Sequence, residues 1–519
     1  MRSWQSFYEI LKFPLCVIFF AVCLIGSGNL LTNSVYGVAG LFDNETVISL
    51  GELLIKIGQF LVVNFPLLFI VRLCTRRGGS AATILSALAG YVAFLSTTMF
   101  FANPNLPSTA YSSILGLSLN RTNIVSLVGS THYPLQTGVI ATVIVSAITL
   151  WSFSSTRKKT EYGFFSFVSK EMACVIRTVF FCVVAGMIVS YLWPLAVVFI
   201  QRVVHFIAVD TNNPINLTLY GISERILGVM GLGTMIRQPF WYEMSGGSWV
   251  NAAGISVSGD VNIWTAQLSA NAVTGMAGRF FTPYYILNIF AMPAVIWAAF
   301  TLDTNPMEKR RMILLCILGT VASLLWGTLL PLELVMVFLC PLLFVFHVAY
   351  TGILYMVLQS LHIYLGYQAV DTLTLTARPG SLPEFISYLQ YPALARSLIG
   401  VAIAGIITGL LYFLTTRAYF RFMAMDLFKT GSKDLVINAV IKAAGGIENI
   451  KMTHSSIAKL TLSVYDPSKV DLQRLKRLGS YRTYENRAGF NICFGAPSTM
   501  IRQGIDSAMR DAVREVNQL

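Results

Sequence analysis

The chain has 519 residues, 55% of them hydrophobic and only 12% charged. A mean hydropathy of +0.66 excludes an ordinary soluble protein, which could not hide so much apolar surface, and implies a polytopic membrane protein. The net charge of +13 would suggest a nucleic-acid partner for a soluble chain, but these cations lie just beyond apolar runs, so the partner implied is membrane lipid and not nucleic acid.

Runs long enough for a ~30 Å hydrocarbon core, about 20 residues each, fall near 10–31, 51–73, 81–102, 135–154, 173–204, 286–302, 311–330, 334–361 and 396–416. Several are interrupted by Gly or Pro, which predicts broken or re-entrant pieces lining a cavity. The first run has little positive charge before it and no small-residue cleavage site, so it reads as a retained helix. Arg72, Arg76 and Arg77, then Arg157-Lys158-Lys159, Lys309-Arg310-Arg311, and Arg417, Arg421 and Lys429 mark cytoplasmic ends by the positive-inside rule. Between Thr211 and Arg279 lies a stretch rich in Gly, Asn and Ser, too polar to face lipid. It is expected to lie outside the membrane or to fold back into a cavity where substrate is met.

The membrane body extends to residue 425, residues 426–431 form a linker, and 432–519 read as a compact α+β tail, which should be cytoplasmic. Ser432 is the expected cap of a helix carrying Leu435, Val436, Ala439, Val440 and Ala443 at helical spacing, ended by Gly445. A strand follows with Leu460, Leu462 and Val464 on one face, then a short helix from Val470 to Leu478, a strand around Ile492, and a last helix from Ser498 whose Ile501, Ile505, Ala508, Ala512 and Val516 share one side. The eight cysteines follow no paired spacing, and seven lie in or beside apolar runs. Neither a disulfide, a metal site nor a cofactor is implied.

The segment Gly445-Gly446-Ile447-Glu448-Asn449-Ile450 through Ser456 to Leu460 closely resembles the enzyme IIB domain of the glucose family of bacterial sugar phosphotransferase systems. There a helix ends in Gly-Gly, and a cysteine before Thr-Arg-Leu-Arg carries phosphate to the sugar. Ser456 stands at the cysteine position, with Ala458, Lys459 and Thr461 in place of the Thr and the two Arg. A thiol near pKa ~8.5 is readily tuned to a nucleophilic thiolate, whereas a serine needs a dedicated base. His454 is the nearby candidate for one. Cys493, in an alternating strand, aligns with a core position.

The body resembles the enzyme IIC permease of the same family. The similarity runs through Pro14 to Asn29, Asn64-Phe65-Pro66, Ala87 to Tyr91, Tyr220-Gly221-Ile222-Ser223-Glu224-Arg225, Gly231-Leu232-Gly233-Thr234, Pro239-Phe240, Asn251 to Gly254, Gly259-Asp260, Trp326 to Glu333 and Pro341 to Gly352. It implies about ten transmembrane helices with re-entrant elements, placement in the bacterial inner membrane, a homodimer, and a sugar or sugar-like ligand. A phosphocarrier enzyme IIA or another permease are the implied protein partners. The family's His pair after Gly-Leu is replaced by Gly233 and Thr234, and its Glu in Gly-Ile-Thr-Glu-Pro by Leu330. Glu224, Arg225, Asn251, Asp260 and Glu333 survive. Arg225, Glu224, Gly233, Thr234 and Glu333 are the substrate-binding candidates: Gly233 and Thr234 because they stand at the place of the His pair, the others because an ionisable group within a membrane protein is costly and usually faces a cavity. An equally open reading makes Glu224 with Arg225, or Glu333 with a partner elsewhere, structural ion pairs. Arg237-Gln238 offer replacement donors near the lost His pair. His347 reads as a satisfied core histidine.

Three functional readings follow from the residues. The chain either couples sugar uptake to phosphorylation, through Ser456 and His454; or uses a IIB domain lent by a partner; or has become a sensor, regulator or facilitator without phosphoryl transfer. Losing the cysteine, the His pair and the Glu while both frames persist favours the last.

Overall fold

The apolar runs become helices wherever backbone groups must be satisfied away from water. The computed structural model describes residues 2–35, 37–40, 44–77, 81–112, 133–157, 170–250, 254–273, 277–302, 306–327, 329–368, 379–420, 433–456, 458–486, 489–495 and 497–518. The expected linker 426–431, Asn251, Lys158, Lys159, Arg421, Lys429 and Ser432 lie outside them, as do the side chains of Arg76, Arg77, Arg157, Lys309, Arg310, Arg311, Leu435 and Val516.

In chain order the body comprises α1 (Arg2–Thr32), α2 (Glu45–Val63), α3 (Phe65–Arg77), α4 (Ala81–Phe101), α5 (Val139–Arg157) and α6 (Lys170–Val209). Next come α7 (Pro214–Val229), α8 (Thr234–Tyr242), a hairpin of β1 (Ser248–Val250) and β2 (Ser256–Ser258), α9 (Asp260–Ser269), α10 (Thr282–Ile286) and α11 (Met292–Thr301). The body ends with α12 (Pro306–Trp326), α13 (Leu330–Leu339), α14 (Pro341–Ser360), α15 (Leu382–Ser387) and α16 (Ala395–Ala418). Seven helices among the described residues are long and apolar enough to cross a membrane, and Phe65–Thr75, Val139–Ser155 and Cys316–Trp326 are shorter apolar helices.

Two expected runs are split. The run 51–73 breaks at Asn64, whose Nδ2 donates to Phe60 O at 2.8 Å while its own carbonyl accepts from Leu67 N at 3.1 Å, closing α2 and opening α3. A side-chain amide competing for backbone groups does this, and Pro66 supplies no N–H to continue the ladder. The run 334–361 breaks at Cys340, at φ −136° and ψ 61°, because the residue before Pro341 is driven out of the helical region. Between α10 and α11 the chain widens into a π-turn over Leu287–Ala291 just before Pro293.

The polar stretch 211–279 folds into α7, α8, the β1–β2 hairpin and α9. Its two ends are tied together: Arg279 Nη1 donates to Thr211 O at 2.8 Å and Asn212 Oδ1 at 2.9 Å. Asp260, wholly buried, accepts from Gly278 N with both carboxylate oxygens at 2.9 Å. α7 lies along α14, with an edge-on aromatic cluster of Tyr220, Phe240, Phe280 and Tyr355 at the junction. That cluster makes a rigid floor for the residues described next.

The tail is α+β. α17 (Lys433–Ala443), β3 (Ile450–Ser455), β4 (Leu460–Val464), α18 (Leu472–Arg477), β5 (Arg482–Asn486), β6 (Gly489–Cys493) and α19 (Ser498–Gln518) form an antiparallel sheet of order β3-β4-β6-β5, with α19 packed on β3, β4 and α17. Val440, Leu460, Leu462, Ile492, Ile501 and Ile505 make its core. The two strands absent from the sequence reading, β3 and β5, are the sheet's edges; β5 is almost wholly exposed, so its residues carry no apolar alternation to betray it.

Candidate functional site

α7 is started by Asn213, whose Oδ1 accepts from Ile215 N at 2.9 Å, with Pro214 preset for the first turn. Nearly three turns on it carries Glu224 and Arg225. Arg225 Nε donates to Glu224 Oε2 at 2.5 Å, and its Nη1 crosses to Glu333 Oε1, in the first turn of α13, at 2.7 Å. Glu333 Oε1 also meets His347 Nε2 on α14 at 3.1 Å, and His347 Nδ1 meets the Tyr412 hydroxyl on α16 at 2.8 Å. On the other side Glu224 Oε1 accepts from Tyr284 OH on α10 at 2.7 Å and from Arg237 Nε on α8 at 2.6 Å. Six helices thus meet in one chain of buried charges and hydroxyls. Arg225 and Glu333 are ion-paired with each other, as one of the two open readings has it, and both also line a cavity. His347 has a partner on each ring nitrogen, as expected of a satisfied core histidine.

The cavity has a volume of about 490 Å³, within the ~300–1,000 Å³ typical of small-molecule sites. Arg225, Arg237 and Glu333 are its charged lining residues among those described, with Gln136, Thr234 and Tyr284 as polar neighbours. Gln136 is fixed at both ends, donating from Nε2 to Gly231 O at 3.0 Å and accepting on Oε1 from Thr234 Oγ1 at 3.0 Å. Trp241 adds an aromatic wall, and its indole N–H is spent on Tyr220 OH at 2.9 Å. Two guanidiniums match two carboxylates, so the wall offers directional donors and acceptors with little net charge. A hydroxyl-rich neutral ligand suits such a wall, because each hydroxyl left unpaired on burial costs about 1–3 kcal/mol.

Of the expected residues, Glu224, Arg225 and Glu333 are joined directly, and Gly233 and Thr234 line the cavity beside them, as does Leu330. Gln136, Trp241, Tyr284 and Tyr412 were not expected. Nothing in their local sequence marks them; their roles exist only once distant helices meet.

Ser456 belongs to the tail, half-buried in the β3–β4 hairpin, where its N–H donates to Lys459 O at 2.8 Å and Gly495 N donates to Ala458 O at 2.9 Å. The Gly-Gly-Ile-Glu-Asn frame has a structural explanation. Gly445 and Gly446 sit at φ +92° and +98°, where a side chain is strained. Asn449 Nδ2 donates to Ala444 O at 2.7 Å and its Oδ1 accepts from Asp466 N at 2.8 Å, tying the end of α17 to the end of β4. Cys493 is buried in β6. Asp466 is held below the usual carboxylate range by the hydroxyl and amide of Ser468, at 2.6 and 3.0 Å.

Residues 9–352, which contain the cavity's described lining residues except Pro379 and the ion pairs up to His347, match the family model described as phosphotransferase system, EIIC. The chain is also 27% identical over 525 aligned positions to the "PTS system glucoside-specific EIICBA component" of Staphylococcus carnosus (strain TM300), covering 97% of this chain and 73% of that relative. The chain therefore belongs to the EIIC family of the phosphotransferase system, as a sugar permease of its glucose family.

Proposed function

We propose that this permease binds a neutral sugar in the α7–α8–α13 cavity and does not itself phosphorylate it, acting as a facilitator, sensor or regulator. The carrying observation is Ser456: a hydroxyl occupies the carrier position, beside which Ala458, Lys459 and Thr461 also replace the family's Thr and two Arg, and the tail's single thiol, Cys493, is buried in the sheet. A hydroxyl has no counterpart to the thiolate at neutral pH. The glucoside named in the relative's description is the first ligand to try, and the balanced charges of the cavity support a neutral one. Seven long and three shorter apolar helices are compatible with ten crossings in the bacterial cytoplasmic membrane, with an IIB-like tail in the cytoplasm and a homodimer as the default assembly.

The test is to incubate the purified protein with phosphoenolpyruvate, enzyme I, the phosphocarrier protein and an enzyme IIA, with and without a sugar panel. The expected outcome is no label on the tail and no sugar phosphate, together with a rise in thermal stability with at least one sugar. Label on Ser456 or His454 that disappears in Ser456→Ala would overturn the reading. Sugar phosphate formed only when a separate IIB domain is added would instead establish the borrowed-carrier alternative.

A further inference from the structure

We infer that Arg237 is the specificity-determining residue of the cavity, presenting the free edge of its guanidinium to hydroxyls of a neutral sugar; the inference rests on the sugar reading above. Arg237 Nε and Nη2 both reach Glu224 Oε1, at 2.6 and 2.5 Å. A guanidinium carries five N–H groups, so anchoring this edge leaves the Nη1 side free. The Arg237 side chain is 24% exposed, whereas those of Glu224 and Arg225 are 0% and 2% exposed. Arg225 also lines the cavity, but of the two arginines in the charge chain Arg237 is the one with substantial exposed surface to offer a ligand.

Its seat is shaped by two glycines. A Cβ on Gly228 would stand 3.1 Å from Arg237 Nη2, and one on Gly233 would stand 3.2 Å from Cζ and 3.4 Å from Nε. Neither position can hold a side chain without crowding the guanidinium. Trp241, one turn further along α8, covers it with Cζ 5.7 Å from the ring centroid. Held by its edge on Glu224 and by its face on Trp241, the planar group is preorganised and gives up little freedom when a ligand arrives.

The charges around it decide the ligand class. Glu224, Glu333 and Arg225 are the charged neighbours in the chain, so with Arg237 the sum is two cations and two anions. Arg237 thus supplies oriented donors without a net positive field. That suits neighbouring hydroxyls, and gives a uronate or a sugar phosphate no advantage. Gln136, locked by Thr234 and Gly231, stands on the same wall as a second polar contact.

The test uses the full-length protein in lipid nanodiscs with radiolabelled methyl β-D-glucopyranoside, and the corresponding methyl glucosiduronate as the anionic probe. Wild type is expected to bind the neutral probe more tightly than the anionic one. Arg237→Gln and Arg237→Lys should each weaken neutral binding about tenfold to a hundredfold, the size of a lost charge-assisted contact. Gly233→Ala, which crowds the guanidinium without changing it, should weaken binding in the same direction. Arg237→Lys keeps a cation beside Glu224 and serves as the folded comparison should Arg237→Gln prove unstable. Neutral binding by Arg237→Lys within twofold of wild type would overturn the inference about Arg237, and tighter binding of the glucosiduronate by wild type would overturn the neutral ligand. Failure of wild type to bind any sugar would sink the sugar reading itself, a result distinguishable from either.

Discussion

Arg225 Nη1 and Glu333 Oε1 lie 2.7 Å apart although 108 residues of chain separate them. The contact joins α7 to the first turn of α13, and through His347 and Tyr412 it extends to α14 and α16. It is the clasp that closes the cavity's wall.

Removing Arg225 leaves the carboxylates of Glu224 and Glu333 without their shared cation, whereas neutralising Glu333 leaves Arg225 paired with Glu224. Arg225→Ala is expected to cost about 3–5 kcal/mol of stability, as for other broken buried pairs, and Glu333→Gln clearly less. Thermal unfolding of the two variants in detergent checks the order. Equal losses would show that Arg225 does not compensate both acids.

The packing of α7 on α14 depends on Gly221. A Cβ there would lie 2.3 Å from Tyr355 Cδ2, with the ring unable to retreat because its hydroxyl donates to Phe280 O at 2.8 Å. Gly221→Ala should destabilise the protein by about 1–3 kcal/mol, as overpacking does. Adding Tyr355→Leu should recover part of the loss, a coupling that a double-mutant cycle measures.

Ser456→Cys restores a thiol to the hairpin but leaves the cavity untouched. Because Ala458, Lys459 and Thr461 still stand in place of the carrier hairpin's Thr and two Arg, sugar phosphate formation is expected to remain at background. Labelled sugar phosphate formed by the phosphoenolpyruvate relay reads this directly. Robust phosphorylation by the single variant would mean that the serine alone had silenced the system.

Asp466 caps the short turn Pro467–Lys469 through Ser468. Its folded pKa is lowered, so the stability it contributes is present above the ordinary carboxylate pKa and is lost as pH falls through the lowered folded value. Hydrogen exchange of the peptide covering 466–470 should be faster in Asp466→Ala than in wild type at neutral pH. The difference should vanish in acid; one that persisted there would remove the carboxylate from the explanation.

Much of the architecture was legible from hydropathy. Helices were expected where apolar residues run unbroken, the tail's central strands around Leu460, Leu462 and Val464 and around Ile492, and, where the chain between Thr211 and Arg279 turns polar, a segment either outside the membrane or folded back into a cavity. The breaks beside Pro66 and Pro341 are of the kind that Gly and Pro within the runs predicted; their exact places, Asn64 and Cys340, were not given, because a hydropathy window averages over a single capping side chain or a residue ahead of proline. Edge strand β5 was missed because it is almost wholly exposed, and β3 because its register shifts after Ile450 and two of its three buried residues, Thr453 and Ser455, are polar, so neither shows an apolar alternation.

At the site, the sequence by itself determined which residue types were available: paired ionisable groups at 224 and 225, another at 333, a hydroxyl where a carrier thiol belongs, and glycine at 233. Tertiary structure alone decided what they do. Arg225 could have paired locally, faced a ligand, or crossed to another helix; it both pairs locally and crosses, because α13 brings Glu333 to its free edge. Arg237 was legible as a replacement donor near the lost His pair, but that its guanidinium packs against Gly233 is set by the fold. Spacing along one helix reports its neighbours on that helix, whereas a buried charge must be matched by whatever group the packing of other helices delivers, and that partner is written nowhere near it in the chain.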